Sequence, residues 1–146
     1  MMEDSSLWQT SSSIARETFR FMAPELLEGI QSTVTVQSDT YAFGMACLVS
    51  NLLLWMDDCL PRSVKEVVTD DWPFSHYPID GAVYVAVTIR KEKPARPADK
   101  YIPDELWDLL YSCWEFDSQD RVSDITIVNA LIRMVSAKTG KPVLLY

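Results

Sequence analysis

The stretch "LWDLLYSCWEFDSQDRVSDITIVNALIRM", residues 106–134, decides the fold. Pro103 suits the first position of a helix, and apolar residues then recur at the spacing of one helical face. These apolar residues are Leu106, Leu109, Leu110 and Cys113. Ser123 suits the N-cap of a second helix. The buried stripe predicted for that helix is Ile125, Val128, Leu131, Ile132 and Val135. Two amphipathic helices joined by a short polar connection predict a mainly α fold.

The composition predicts one domain with a core and a narrow range of partners. The chain has 146 residues, of which 48% are hydrophobic and 11% aromatic, and this is enough to bury a core. Its 13 basic and 21 acidic residues give a net charge of −8, which repels a phosphate backbone and an anionic membrane surface. We therefore expect no nucleic-acid partner and no membrane partner.

The cysteines and the single histidine argue against a metal site. Cys47, Cys59 and Cys113 lie far apart without a C-x-x-C pair, and His76 is the only histidine. Free thiols in a reducing compartment are the better interpretation. No basic segment followed by an apolar stretch opens the sequence, so we expect no secretory signal. These features predict a cytoplasmic or nuclear protein that is not secreted.

Two apolar segments require separate interpretations. The longest uncharged run, "TYAFGMACLVSNLLLWM" at 40–56, is shorter than the roughly 20 residues that span a bilayer. It predicts a buried helix from about Ser38, its N-cap, to Met56, with Asp39 in the first turn. Residues 81–89, "GAVYVAVTI", alternate valines as a strand does, so propensity alone favours β structure there.

The segments before and between these helices are mixed. "PELLEG" at 24–29 predicts a short helix, because Pro24 pre-sets its first turn and Gly29 can end it in the left-handed conformation. Residues 5–18 are rich in small hydroxyl side chains and predict a loop. The segment 51–71 changes from apolar to charged and contains a proline, and its pattern gives no assignment.

Four pieces of the sequence occur in the order known from one protein family. They are "RFMAPELLEG" (20–29), "SDTYAFGMACL" (38–48), "PARP" (94–97) and the stretch at 106–134. Together they resemble the C-terminal lobe of a protein kinase domain. "MAPE" and the Cys-Trp motif are similar to those of the tyrosine kinase and tyrosine-kinase-like branches, and "WPFSHYP" with "KPARP" is similar to fungal kinase-like domains. The resemblance covers about residues 10–136.

The resemblance implies a fold and a domain plan. We expect the helical C-terminal lobe of the protein-kinase-like fold with the N-terminal lobe absent, and a helix instead of a strand at 81–89. Other helices at about 103–114 and 123–136 are expected to pack around the central helix. The expected domains are a flexible remnant of an activation segment at 1–18, a partial kinase domain at 19–136 with an unassigned insert at about 51–71, and a tail at 137–146.

The resemblance also implies roles for individual residues. Glu25, in an Ala-Pro-Glu motif, is expected to pair with Arg121 and to tie the end of the activation segment to the helical core. Thr18 takes the place of the threonine in the substrate-docking loop, although Glu17 replaces the usual glycine. Candidate phosphorylation sites are Thr10, Ser11, Ser12 and Ser13. The structural motif residues are Ala23, Pro24, Glu25, Asp39, Gly44, Cys113, Trp114 and Arg121.

Two of these motif residues also have an ordinary structural interpretation, beside the role that the resemblance implies. Asp39 resembles the aspartate that begins a central kinase helix and accepts N–H groups from the catalytic loop. Without that loop it serves only its own helix terminus. Trp114 resembles the tryptophan that packs near the activation segment, which differs little from an ordinary core aromatic residue.

The groups that a kinase needs for phosphoryl transfer do not occur in the sequence. Its four glycines stand too far apart for a Gly-rich loop, and neither H-R-D nor D-F-G is present. We therefore expect no catalytic, cofactor-binding or metal-binding residue in this chain. ATP and Mg²⁺ are expected as cofactors of a full-length parent only.

Three functions stay open, in a definite order of preference. The first is a fragment of a protein kinase whose parent phosphorylates proteins. The second is a stand-alone, pseudokinase-like module that binds a protein partner through the docking surface around residues 80–110, and the third is a nonfunctional product that aggregates. The basic cluster of Arg90, Lys91, Lys93 and Arg96 is better interpreted as a solvated loop than as a docking or nuclear-import signal.

Overall fold

The computed structural model describes residues 18–49, 72–98 and 102–142, and within these ranges every regular element is a helix. The α-helices are α1 (Pro24–Leu27), α2 (Val36–Val49), α3 (Asp80–Tyr84), α4 (Asp104–Cys113) and α5 (Asp124–Thr139). A π-helical segment (Val85–Ile89) continues α3, and a 3₁₀ turn (Ser118–Asp120) lies between α4 and α5. The predicted mainly α fold is confirmed for this part of the chain. None of its helices is long and apolar enough to cross a membrane.

Some of the sequence predictions concern residues outside the described ranges. These are the candidate phosphorylation sites Thr10, Ser11, Ser12 and Ser13, the end of the long helix at Met56, the insert at 51–71, Cys59, and the last four residues of the tail. They stay predictions.

Helix α2 begins two residues before the predicted N-cap, so the prediction of Ser38 as N-cap is wrong. The hydroxyl Oγ1 of Thr35 accepts a hydrogen bond from the backbone N–H of Ser38 at 3.2 Å. In return, Oγ of Ser38 accepts one from the backbone N–H of Thr35 at 2.8 Å. This exchange is a capping box in which serine replaces the usual Glu or Gln. Both residues suit an N-cap by type, so the sequence alone could not choose between them.

Helices α2 and α4 pack against each other at the centre of the core. The buried apolar residues of α2 are Tyr41, Met45, Cys47 and Leu48, and those of α4 are Leu106, Leu109, Leu110 and Cys113. The apolar face predicted for α4 is therefore buried throughout. Burying each large aliphatic side chain stabilises the fold by about 1.5–3 kcal/mol relative to leaving it exposed.

The valine-rich segment is helical, against its strand propensity. Val83, Ala86 and Val87 are buried, whereas Val85 and Ile89 are 38% and 68% exposed. A strand would place the alternating residues at 83, 85, 87 and 89 on one face. Packing of one helical face against the core outweighs the intrinsic preference of valine for β structure.

Helix α5 buries a face that overlaps the predicted stripe only in part, because Leu131 packs against the core while other members of the stripe are exposed. Ser123 caps the helix by accepting a hydrogen bond from the backbone N–H of Thr126 at 3.2 Å. The buried residues of α5 are Ile127, Ala130 and Met134. Ile125 and Val128, which were predicted to be buried, are 70% and 43% exposed. Two sets of apolar residues in this helix share the helical period, so spacing alone could not choose between them.

Candidate functional site

The two motifs that the kinase resemblance links across the sequence meet in the structure. The guanidinium of Arg121 donates two parallel hydrogen bonds to the carboxylate of Glu25, from Nη1 to Oε1 and from Nη2 to Oε2, both at 2.7 Å. The Arg121 side chain is fully buried and that of Glu25 is 11% exposed. A planar fork facing a planar carboxylate satisfies both charges at once. The structure thus brings together two residues that lie 96 positions apart in the sequence.

The remaining donors of Arg121 are used as well. Its Nε donates to the carbonyl of Glu115 at 2.8 Å, and its Nη1 donates to the carbonyl of Gln37 at 2.9 Å. Its Nη2 reaches the carbonyl of Phe116 at 3.3 Å, and the guanidinium lies 5.2 Å from the ring centroid of Tyr41. A buried cation is tolerated when its hydrogen-bonding capacity is met in this way. One side chain therefore joins α1, the start of α2 and the turn after α4.

Local sequence features place both partners of this ion pair. Pro24 stands in the first turn of α1, where its missing N–H costs no hydrogen bond, and Gly29 follows the helix with φ +69°. Beyond α4, the carboxylate of Asp117 caps the 3₁₀ turn by accepting a hydrogen bond from the backbone N–H of Gln119 at 3.0 Å. That turn reverses the chain and directs Arg121 back toward α1.

Beside the ion pair, Gly44 of α2 makes room for Trp114. A Cβ atom at Gly44 would lie 2.6 Å from Nε1 of Trp114 and 2.9 Å from Cβ of Cys113, both too close for ordinary contact. Trp114 is 2% exposed, and its ring centroid lies 5.6 Å from that of Trp107 in an edge-on contact. Helices α2 and α4 approach closely because one of them carries no side chain at this point.

Burial suppresses ionisation of the groups around this junction. It raises the pKa of Cys47 to about 11 and the pKa of Cys113 to about 12. It also raises the pKa of Tyr41 above its ordinary range, against the opposing field of Arg121. A thiol reacts as the thiolate, and burial disfavours the thiolate form of both cysteines. The side chains around the ion pair therefore suit a structural role.

The other residues that the resemblance singles out lie at the edges of the junction. Asp39 is exposed in the first turn of α2, where its charge faces the positive end of the helix dipole. Thr18 is exposed, and its carbonyl accepts a hydrogen bond from the backbone N–H of Phe21 at 3.1 Å. Ala23 is fully buried directly before α1. Of the motif residues in the described part of the chain, Glu25 and Arg121 form the joint, and Gly44, Cys113 and Trp114 lie in close contact with one another.

Arg20 is a second anchoring residue, and the sequence analysis missed it. Its Nη1 donates to the carbonyls of Pro73 at 3.2 Å and Phe74 at 2.8 Å, and its Nη2 donates to the carbonyl of Tyr77 at 3.0 Å. The same Nη2 lies 3.5 Å from Oδ1 of Asp80, the first residue of α3. Phe74 is buried in the left-handed conformation with φ +59°. Arg20 therefore fixes a tight loop that leads into α3.

The only sequence signal for this contact is the position of Arg20 directly before "FMAPE". Its partners are mainly backbone carbonyls, which every residue carries, so residue types could not identify them.

Three of the four cations in the basic cluster lie over aromatic rings, whereas the sequence predicted a solvated loop. Its cation–aromatic pairs are Lys91 with Phe116 at 4.4 Å, Lys93 with Tyr111 at 4.0 Å and Arg96 with Trp107 at 5.6 Å. Its ion pairs are Lys93 with Glu115 at 2.7 Å, Arg96 with Asp104 at 2.7 Å and Arg90 with Glu92 at 3.3 Å. The loop that carries these cations is thereby bound along α4.

The predicted docking surface around residues 80–110 carries three exposed aliphatic side chains on or beside α3. They are Ile79, Val85 and Ile89. The opposite face of the same helix is buried, so these side chains point away from the core. They are available for contact with a partner.

The expectation that this chain holds no cofactor-binding or metal-binding residue stays a prediction. Within 18–49, 72–98 and 102–142, no three His, Cys, Asp or Glu side chains come together as metal ligands would.

Comparison with known proteins finds relatives among protein kinases and growth factor receptors. Dual specificity protein kinase shkD of Dictyostelium discoideum is 30% identical over 109 residues, which cover 75% of this chain and 12% of the relative. Mast/stem cell growth factor receptor kita of Danio rerio is 26% identical over 125 residues, covering 86% of this chain and 11% of the relative. Dual specificity protein kinase shkC of Dictyostelium discoideum is 29% identical over 123 residues, which cover 84% of this chain and 20% of the relative.

The chain thus contains a region similar to protein kinases. It spans between about a tenth and a fifth of the length of these relatives. No protein-family model matches the chain.

Proposed function

We propose that the chain is the helical, substrate-side lobe of a protein kinase domain of the tyrosine kinase or tyrosine-kinase-like branch. In this proposal the chain alone is catalytically inactive, and a longer protein that carries it phosphorylates proteins with ATP and Mg²⁺. The observation that carries the proposal is the buried, bidentate ion pair between Glu25 and Arg121.

The ion pair supports the proposal because its two residues come from separate motifs. Glu25 belongs to Ala-Pro-Glu, and Arg121 follows Cys113-Trp114 by seven positions. Two charged residues chosen at random in a sequence are usually both solvated. A carboxylate and a guanidinium that are both buried and matched in geometry reproduce the joint that the kinase resemblance implies.

The relatives support the proposed reaction. The two Dictyostelium proteins are dual specificity protein kinases by name. Their similarity to this chain covers three quarters or more of its residues. Protein phosphorylation is therefore the reaction that we assign to a longer parent.

The inactivity of the chain alone rests on the chemistry of phosphoryl transfer. Catalysis in kinases consists almost entirely of positioning the phosphates and neutralising their charge. A Gly-rich loop, an H-R-D aspartate and a D-F-G aspartate do this, and none of these motifs occurs in the sequence. ATP and Mg²⁺ are therefore cofactors of the parent only in this proposal.

We also propose that the protein is located in the cytoplasm or nucleus, where thiols such as Cys47 and Cys113 stay reduced.

The first test is the intact mass of the endogenous protein, captured with an antibody to residues 113–122. A mass well above the 16.7 kDa of this chain is expected, and the captured protein should then transfer phosphate from ATP to a protein substrate. A captured protein of larger mass without any kinase activity contradicts the proposal for the parent.

The inactivity of the chain alone is tested by titration calorimetry with Mg-ATP. We expect no heat of binding at ATP concentrations up to about the millimolar range that typical enzymes require. Micromolar affinity for Mg-ATP overturns this part of the proposal.

A second candidate function is a stand-alone protein-binding module, which the exposed Ile79, Val85 and Ile89 favour. An endogenous mass near 16.7 kDa would favour it over the kinase fragment. The chain would then bind its partner through α3. Ile79→Ser with Ile89→Ser should abolish capture of that partner and leave the melting temperature unchanged.

A further inference from the structure

A second apolar stripe runs along α5, apart from the residues that pack into the core. Its members are Ile125, Val128, Ile132 and Val135, which we call the outer stripe. Ile125 and Val128 are 70% and 43% exposed, and the other two are half-buried. Monomeric proteins rarely keep a line of exposed aliphatic residues without a use for it.

The spacing of the outer stripe places its members on one surface. They follow one another at intervals of three, four and three residues. On a helix this spacing forms a single line, and it is the spacing of the a and d positions of a coiled-coil heptad. The core-facing residues Ile127, Ala130 and Met134 lie on roughly the opposite side of α5. The packing of α5 in the core therefore turns the outer stripe away from it.

The outer stripe is symmetric about its middle, so it matches a second copy of itself that runs in the opposite direction. When two copies of α5 meet about a two-fold axis level with Ala130, Ile125 lies opposite Val135 of the second copy. In the same arrangement Val128 lies opposite Ile132 of the second copy. Every layer then pairs one isoleucine with one valine, so the layers are of equal size.

The charged residues of α5 favour this antiparallel orientation. They are Asp124 in the first turn, Arg133, and Lys138 in the last turn. Asp124 and Lys138 are exposed and lie seven positions before and after Leu131, on the same flank of the outer stripe. An antiparallel pair brings Asp124 of each copy to Lys138 of the other. A parallel pair would instead bring like charges side by side at both ends of the helix.

The net charge of the chain does not prevent such a contact. The whole chain carries −8, which opposes self-association, but α5 itself has one acidic and two basic residues. At physiological salt, exposed charges more than about 8 Å apart are largely screened from each other. A contact made by one helix of each copy falls below the roughly 800 Å² per partner of a standard interface. We therefore expect weak, reversible association.

From the symmetric spacing, the exposure and the charge pattern we infer that the outer stripe is a dimerisation surface, on which two copies of this chain pair their α5 helices antiparallel. The same patch is used by both copies, so the assembly closes at two and does not grow further. The inference goes beyond the proposed function and does not depend on kinase activity of any parent.

Sedimentation equilibrium of the full chain, from about micromolar to about millimolar concentration, tests the inference. We expect a monomer and a dimer in equilibrium. Ile125→Ser with Val128→Ser should weaken dimerisation by about tenfold or more. The control, Ile79→Ser with Ile89→Ser on α3, should leave it within about twofold. Because all four residues are exposed, both variants should melt with the parent.

Three outcomes of this experiment overturn the inference. A monomer at every concentration would leave the outer stripe to a different protein. Oligomers that grow beyond two copies would mean that the contact is not closed. Equal weakening in the α5 and α3 variants would mean that the outer stripe is not the contact surface.

Cross-linking tests the antiparallel orientation without removing an apolar side chain. Asn129 is exposed beside the outer stripe and, in the antiparallel pair, faces Asn129 of the second copy. Asn129→Cys should therefore give a covalent dimer on mild oxidation, above the background of the parent chain with its native cysteines. Arg133→Cys, at an exposed residue away from the stripe, is the control and should stay at background. A dimer in sedimentation that Asn129→Cys does not cross-link contradicts the antiparallel pairing.

Discussion

The Glu25–Arg121 junction and the basic loop at 90–96 use the same kinds of charged groups in opposite ways. In the junction one arginine is fully buried and joins segments 96 residues apart. In the loop, Arg90, Lys91 and Arg96 are exposed, and Arg90 and Arg96 pair with acidic residues two and eight positions away in the sequence. A buried charge destabilises the fold unless an opposite charge and hydrogen bonds compensate its lost hydration, whereas an exposed ion pair adds little to stability. Charge count alone therefore says little about which cations hold this fold together.

The largest expected effect comes from removing the buried cation. Arg121→Ala leaves the buried carboxylate of Glu25 without a partner and removes the contacts of Arg121 with three backbone carbonyls and the Tyr41 ring. This change should lower the free energy of unfolding by about 3–5 kcal/mol. For a domain of this size that loss approaches the whole stability. Urea denaturation followed by circular dichroism measures it. Arg133→Ala, an exposed residue of α5, is the control and should stay within about 0.5 kcal/mol of the parent. A loss below about 1 kcal/mol for Arg121→Ala would show the junction to be no stronger than a surface pair.

Adding a methyl group next to the junction should have the second largest effect. Gly44→Ala places Cβ 2.6 Å from Nε1 of Trp114 and should cost about 1–3 kcal/mol by overpacking. Gly81→Ala is the control because nothing lies within 4 Å of its Cβ position. That control should be neutral or stabilising, since alanine favours the helix. Equal midpoints of thermal unfolding for both variants would contradict the close contact with Trp114.

Arg20 provides an intermediate case between the junction and the loop. Arg20→Met removes hydrogen bonds to three backbone carbonyls and should cost about 1–3 kcal/mol, because the loop before α3 loses its donors. Hydrogen exchange at 73–80 should speed up more than exchange in α4. Arg133→Met, at an exposed residue of α5, is the matched control and should leave exchange at 73–80 unchanged. Uniform acceleration across both regions would mean that Arg20 acts on global stability only.

The smallest expected effect lies in the basic loop. Lys93→Ala removes the contact with the Tyr111 ring and the ion pair with Glu115, and should cost about 1 kcal/mol or less. The cost should shrink as salt screens the ion pair. Chemical denaturation at low and high salt measures both values. A loss that matches that of Arg121→Ala would remove the contrast between the two regions.

The sequence predicted the helices correctly where the spacing of apolar residues and the residues at the helix ends indicate the same element. The apolar spacing of α4, the cap at Ser123 and the glycine after α1 all follow from local rules, and the structure has them. The pairing of Glu25 with Arg121 came only from the resemblance to kinases, because no local rule links residues 96 positions apart.

The predictions failed where two local solutions were equally good or where tertiary contacts decided. Thr35 and Ser38 both suit an N-cap, and two apolar stripes compete in α5. At 81–89 strand propensity alone would have failed, and the helix expected there from the kinase resemblance is confirmed. Arg20 was missed because its partners are backbone carbonyls, which leave no mark in the sequence.

The long span of the Glu25–Arg121 pair has a consequence for synthesis on the ribosome. Glu25 is made before its anchor Arg121, which is added 96 residues later. At about 5–20 residues per second, that interval lasts roughly 5 to 20 s. During much of this time the apolar face of α2 lacks the surface of α4 that covers it. We therefore expect chaperones that bind exposed apolar segments to bind the nascent chain, and we expect the Glu25–Arg121 pair to form only after Arg121 leaves the exit tunnel.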